Sequence, residues 1–116
     1  ADLAAAVDHL APDGPSAIAG YSFGAAAAAV VAARHPRVER VVLVAPPVDR
    51  FPFAFGPLSS SGVPVSILVG TEDALASPER VEAAVEHLFA VHHIAGAGHS
   101  FTRGLGELGR RVLELL

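Results

Sequence analysis

Ser16-Ala17-Ile18-Ala19-Gly20-Tyr21-Ser22-Phe23-Gly24 runs from an apolar segment into an alanine-rich one that continues to His35. Ser16–Tyr21 is short and uncharged, as a buried strand would be. Gly24–His35 is rich in alanine, which loses least on entering a helix, and it stops before Pro36, whose ring disfavours helical backbone in the residue ahead of it. Between the two, Gly20-Tyr21-Ser22-Phe23-Gly24 fits Gly-x-Ser-x-Gly. A strand that turns directly into a helix holds the serine in a strained conformation with its hydroxyl clear of the sheet. The flanking glycines lack a Cβ and admit neighbouring backbone. The helix N-terminus beyond offers unpaired N–H groups to a developing negative charge. The plainer reading of these five residues is a tight strand–helix turn with Ser22 as a helix cap.

The same alternation continues on both sides. Leu3, Val7 and Leu10 share a helical face that ends at Pro12-Asp13-Gly14-Pro15. Val41–Ala45 and Val65–Val69 are continuous apolar runs, as expected of strands covered on both faces. Pro46–Gly62 between them carries Pro52, Gly56, Pro57 and Gly62 and reads as a loop. Ser77-Pro78 opens a helix whose apolar face is Val81, Val85, Leu88 and Phe89. Val91–Ile94 is a last strand, and Leu105, Leu108, Val112 and Leu115 form a final helical stripe. Short buried strands joined by helices predict an α/β fold: about four mainly parallel strands with helices on both faces. Chemistry in such sheets sits at the carboxyl ends of the strands.

Two further loops leave those ends with reactive side chains. Gly70-Thr71-Glu72-Asp73 follows one strand; a carboxylate there can orient a histidine and balance its positive charge. Asp73 and Glu72 both qualify, Asp49 is in reserve, and the plainer role for Asp73 is a loop or helix cap. Gly96-Ala97-Gly98-His99-Ser100-Phe101 follows the last strand and presents a histidine suited to general-base work, or simply a surface histidine. His9, His35 and His87 fall on helices or helix ends, and His92 and His93 are neighbours in a strand, so they point to opposite faces. None has the spacing of a zinc site. Phe51, Phe53 and Phe55 alternate near the site, either as pocket wall or as a plug over the core.

Composition narrows the classes. At 116 residues one domain is expected. Eight Lys+Arg against twelve Asp+Glu give a net charge of −4, without the basic excess of a nucleic-acid binder. With 52 % apolar and 17 % charged residues the chain is no disordered tail. The absence of cysteine removes disulfides, thiolate metal sites and a cysteine nucleophile. The uncharged run 17–33 is at the short end for a membrane span and is interrupted by Gly20, Tyr21, Ser22 and Gly24. With no signal-peptide pattern, a cytoplasmic location is expected.

The order Ser22, Asp73, His99 is that of α/β-hydrolases, not of trypsin- or subtilisin-like enzymes. On Gly20-Tyr21-Ser22-Phe23-Gly24, Gly70-Thr71-Glu72-Asp73, Gly98-His99-Ser100-Phe101 and Val42-Leu43-Val44-Ala45-Pro46-Pro47, the chain resembles the α/β-hydrolase superfamily, closest to its small lidless esterase and dienelactone-hydrolase-like branch. The resemblance implies a serine esterase or thioesterase with Ser22 as nucleophile, His99 as base, Asp73 as acid, an oxyanion N–H from Phe23 and Tyr21 bordering the pocket. It implies no cofactor and no metal, and an open site for small or flexible acyl groups. It covers the whole chain but only about the C-terminal half of the usual domain. On that match, the loop that supplies a second oxyanion donor in the family is expected to be missing from these residues. The expectations that follow are a weak enzyme, a homodimer formed across the Ser16–Tyr21 edge or across helix faces left bare, or, in the rival reading, a non-catalytic binding or assembly module or a trimmed piece of a larger hydrolase.

Overall fold

The structure is a computed structural model and describes residues 16–51, 53 and 55–116. The expected helix over Leu3–Leu10, its breaker at Pro12–Pro15 and His9 lie outside the described residues. The element order is β1 (Ser16–Tyr21), α1 (Phe23–Arg34), β2 (Val38–Val44), α2 (Phe55–Ser60), β3 (Val65–Gly70), α3 (Pro78–Val85), β4 (Ala90–Ile94) and α4 (Leu105–Leu115). The four strands form one parallel sheet in the order β1-β2-β3-β4, with β1 at an edge.

Strand order and register fix the layers. Right-handed crossovers between strands laid down in one direction put their connecting helices on one face. Gly20, Leu43, Ile67 and Val91 are partners across the sheet and share that face. A Cβ on Gly20 would meet the Ala28 side chain of α1, and His93, two residues beyond Val91, reaches Glu82 of α3. The opposite face carries His92, which meets Arg111 of α4, and Arg40, which donates to the Leu116 carbonyl. The expected helices on both faces are therefore present: α1, α2 and α3 on one, α4 on the other.

Burial follows the sequence pattern. Val41, Val42, Leu43, Ile67, Leu68 and Val69 are fully buried, since central parallel strands are covered on both sides. Each such side chain contributes roughly 1.5–3 kcal/mol by leaving water. Ala25, Ala28, Ala29 and Ala32 seat α1 against this layer. Their small side chains let helix and sheet backbones approach closely.

Three expectations change. Pro46–Gly62 is not all loop, because α2 forms within it with Phe55 and Leu58 buried one turn apart. Pro57 is tolerated there because the first turn of a helix leaves its N–H groups unbonded anyway. The second strand begins at Val38, not Val41: Val38 and the exposed Arg40 pair with Ser16 and Ala17 of β1, and Glu39 between them is skipped by a shift in register. Finally, α3 ends at Val85 because Glu86 and His87 both adopt left-handed backbone. Leu88 is thereby carried off the expected apolar face into solvent, while Phe89 still reaches the core.

No helix among the described residues is long and apolar enough to cross a membrane.

Candidate active site

The carboxyl ends of the strands form one rim, tied together by backbone. Ser22 N–H donates to the Val44 carbonyl, Ala45 N–H to Leu68, Thr71 N–H to Ile94 and Glu72 N–H to Ala97. These bonds dock the loops after β1, β3 and β4 side by side. Ser22, Asp73 and His99 stand on those three loops.

Ser22 sits where β1 becomes α1, at φ 55° and ψ −118°. Positive φ is strained for a residue with a Cβ, and the surrounding turn must hold it there. Gly20 makes the turn possible: a Cβ on it would lie 2.3 Å from the Gly24 carbonyl oxygen. Gly24 has no such duty, because nothing lies within 4 Å of its would-be Cβ. The two glycines of the motif, expected to act alike, are sterically unequal. Ser22 makes no side-chain cap to α1, which removes the plainer reading of that residue.

The Ser22 hydroxyl meets His99 Nε2 at 2.8 Å, and His99 Nδ1 meets Asp73 Oδ2 at 2.8 Å. With the histidine neutral and its proton on Nδ1, the hydroxyl donates to Nε2 and Nδ1–H donates to the carboxylate. Asp73 is buried, and its Oδ1 accepts the N–H groups of Leu75 and Ala76, each at 2.8 Å. That carboxylate thus both shapes its own loop and faces the histidine. His99 stays partly open, its side chain 21 % exposed, so an incoming group can reach the Ser22–His99 pair.

The other candidates are placed as follows. Glu72 is exposed. Asp49, the reserve acid, forms a surface ion pair with Arg80 of α3. His35 Nδ1 accepts the Arg37 N–H, and His87 is exposed in the turn after α3. His92 and His93 face opposite sides of the sheet, on Arg111 and Glu82. Burial first, then Arg111 and the neighbouring His93, hold the His92 imidazole below its ordinary value of 6.5. Among the described residues no group of three or more His, Cys, Asp or Glu could hold a metal ion. The phenylalanine run divides: Phe55 is buried and stacks with Phe53, whereas the Phe51 ring meets Phe23, beside Ser22, at 5.0 Å. Phe23 is 64 % exposed, and as the first residue of α1 its N–H is not used inside the helix. A cleft of about 390 Å³ between Ala32, His35, Val38, Ser61 and Pro64 opens at the other end of the sheet, away from these groups.

Three supporting contacts carry no signal in the sequence, although Tyr21 itself was expected at the pocket's border. Leu75 and Ala76 act through backbone alone. Thr71 Oγ1 accepts the Gly96 N–H at 2.8 Å, tying the acid loop to the histidine loop. The Tyr21 hydroxyl donates to the His99 carbonyl at 2.6 Å, a contact between residues far apart in the chain.

Comparison with known proteins agrees with this architecture. A protein from Coxiella burnetii described as an α/β serine hydrolase homologue superposes with a TM-score of 0.81 at 30 % identity, over 99 % of this chain and 55 % of its own. An Agrobacterium tumefaciens protein of unknown function, provisionally assigned to the α/β hydrolases, superposes at 0.83 with 28 % identity, over 95 % of this chain and 53 % of its own. An uncharacterised protein from Rickettsia prowazekii is 33 % identical across 99 % of this chain and 54 % of its own. The chain thus spans about half the length of the relatives it matches. The sequence pattern of the dienelactone hydrolase family matches residues 1–110, and the chain belongs to that family.

Proposed function

We propose that this chain carries the nucleophile, base and acid of a serine hydrolase that cleaves small carboxylic esters or thioesters. The observation that supports it most is the continuous line Ser22 Oγ, His99 Nε2, His99 Nδ1, Asp73 Oδ2, with both contacts at 2.8 Å. Ser22 attacks the substrate carbonyl carbon while its proton passes to His99 Nε2. Asp73 holds the imidazole in the tautomer that can accept that proton and stabilises the resulting cation. The oxyanion meets the Phe23 N–H and the positive end of α1. The tetrahedral intermediate collapses, His99 returns the proton to the leaving alcohol or thiol, and an acyl-Ser22 ester remains. Water, deprotonated by His99, then releases the acid and restores the serine.

Small or flexible acyl groups suit the surroundings of Ser22. Tyr21 and Phe23 flank it and are 47 % and 64 % exposed, and Phe51 extends Phe23 into an aromatic wall.

The test is intact mass after exposure of the full protein to a fluorophosphonate, with Ser22→Ala as control. Phosphonylation displaces fluoride and is rapid only at a serine served by a base. The expected result is one adduct on the parent and none on the variant. A folded parent that takes no adduct overturns the reading and leaves the binding-module alternative.

A further inference from the structure

Two consecutive residues grip one histidine from opposite ends. Ser22 Oγ meets the imidazole Nε2 at 2.8 Å, and the hydroxyl of Tyr21 donates to the backbone carbonyl of the same His99 at 2.6 Å. The Tyr21 ring also lies 5.6 Å from the imidazole and edge-on to Phe101 at 6.4 Å. From these contacts we infer that Tyr21 is a positioning residue, whose hydroxyl sets the height and angle of His99 over Ser22. The inference rests on the reading of His99 as the base.

The histidine loop needs such a hold. Its side-chain anchors to the fold are the Thr71 hydroxyl at Gly96 and the Nδ1 bond to Asp73 on one side and the buried Phe101 on the other. Phe101 has a φ of 53°, a conformation a bulky side chain adopts only under constraint. The turn between these anchors can tilt. A tilt moves Nε2 relative to a serine that is itself fixed by the strained turn after β1. Tyr21 prevents this because it is covalently joined to Ser22: the distance it sets is measured from the nucleophile itself. Its aromatic body gives little play, with two side-chain torsions and contacts to both His99 and Phe101.

The hydroxyl acts on geometry more than on folding. The Tyr21–His99 bond is exposed, so water can replace the phenol at the His99 carbonyl when the hydroxyl is removed. The fold then loses little, while the loop gains freedom. Misplacement of reacting atoms by about an ångström can cost on the order of 10²-fold in rate. A lost tether that leaves Asp73 and Phe101 in place should cost less, about tenfold.

Tyr21→Phe separates the hydroxyl from the ring. In the full protein, the time course of fluorophosphonate labelling gives an amplitude, the fraction of competent sites, and a rate constant per site. The expected outcome is full amplitude, a rate constant about tenfold lower and, with a small ester, kcat reduced at unchanged KM. A lower amplitude with an unchanged rate constant would show a structural role only and overturn the inference. So would a raised KM with kcat held, which would make Tyr21 a substrate contact. An unchanged time course removes the inference and leaves His99 as base. A parent that takes no label at Ser22 removes the base reading and the inference with it.

Discussion

Gly70 and Ala97 lie so close that a Cβ on Gly70 would sit 2.2 Å from the Ala97 carbonyl oxygen. Gly70 ends β3 and leads to Asp73; Ala97 leads to His99. Their contact is what lets the acid loop and the histidine loop lie flat on each other. The atom in the way is backbone, held by the Glu72 N–H at 2.9 Å, so it cannot swing aside. Gly70→Ala should therefore part the two loops, lowering stability by about 1–3 kcal/mol and slowing phosphonylation of Ser22. Thermal unfolding and labelling rate report the two effects. An unchanged rate would mean that the loops tolerate separation.

The glycines around Ser22 should respond unequally. Gly20→Ala drives a methyl into the Gly24 carbonyl and the Ala28 side chain, so the turn after β1 must open. Gly24→Ala meets nothing within 4 Å and adds a better helix former to the first turn of α1. The expected result is a marked fall in melting temperature for the first and a value at or above the parent for the second. Equal losses would show that the turn needs both glycines for a reason other than space.

A mid-helix glycine offers the converse case. Gly109 lies inside α4, is exposed, and has open space at its would-be Cβ. Gly109→Ala removes unfolded-state freedom without a clash and should stabilise by roughly 0.5–1 kcal/mol. Denaturant midpoints measure it. A destabilised variant would reveal a neighbour that packs on α4 in solution.

How much could be read beforehand follows from where the information sits. The strands and α1 were legible because burial on both faces demands unbroken apolar runs such as Val41-Val42-Leu43-Val44, and because alanine crowds one segment. Ser22, Asp73 and His99 were legible as residues because each follows a strand. Their distances were not, since they depend on Gly70 against Ala97 and on Thr71 against Gly96. The short helix Phe55–Ser60 hid behind Gly56 and Pro57, although the spacing of Phe55 and Leu58 is helical. The end of α3 had no glycine to mark it: Glu86 and His87 take left-handed backbone without one. The Tyr21–His99 bond joins residues 78 positions apart and leaves no local pattern.

His92 makes stability depend on pH in a definite direction. Arg111 donates to His92 Nδ1 at 3.0 Å, which requires that nitrogen to be unprotonated. Burial first, then Arg111 and His93, keep the folded-state imidazole below 6.5. The unfolded chain therefore binds the proton at higher pH than the folded one. Stability falls as pH drops through 6.5 toward the folded value, and the contribution is fully present only well above 6.5. His92→Gln should flatten the loss seen in the parent as pH falls through this range. Identical pH dependence in parent and variant would mean that His92 is protonated equally in both states.

Asp73 should separate catalysis from folding, because its two oxygens have different partners. Oδ1 accepts the Leu75 and Ala76 N–H groups, and Oδ2 faces His99 Nδ1. In Asp73→Asn the remaining oxygen can keep the loop while the new NH₂ faces the imidazole. An NH₂ only donates, so it forces Nδ1 to be the acceptor and places the ring proton on Nε2. The Ser22 proton then has nowhere to go, and kcat should fall by about 10⁴ with melting near the parent's. In Asp73→Ala both oxygens are gone; activity is lost and the amides of Leu75 and buried Ala76 are stranded, at a cost of about 1–3 kcal/mol in stability. Asp49→Asn, which only releases Arg80 on the surface, is the matched control and should leave both unchanged. If Asp73→Asn kept most of its activity, the carboxylate would be a loop cap alone, and the acid would have to be sought elsewhere on the rim.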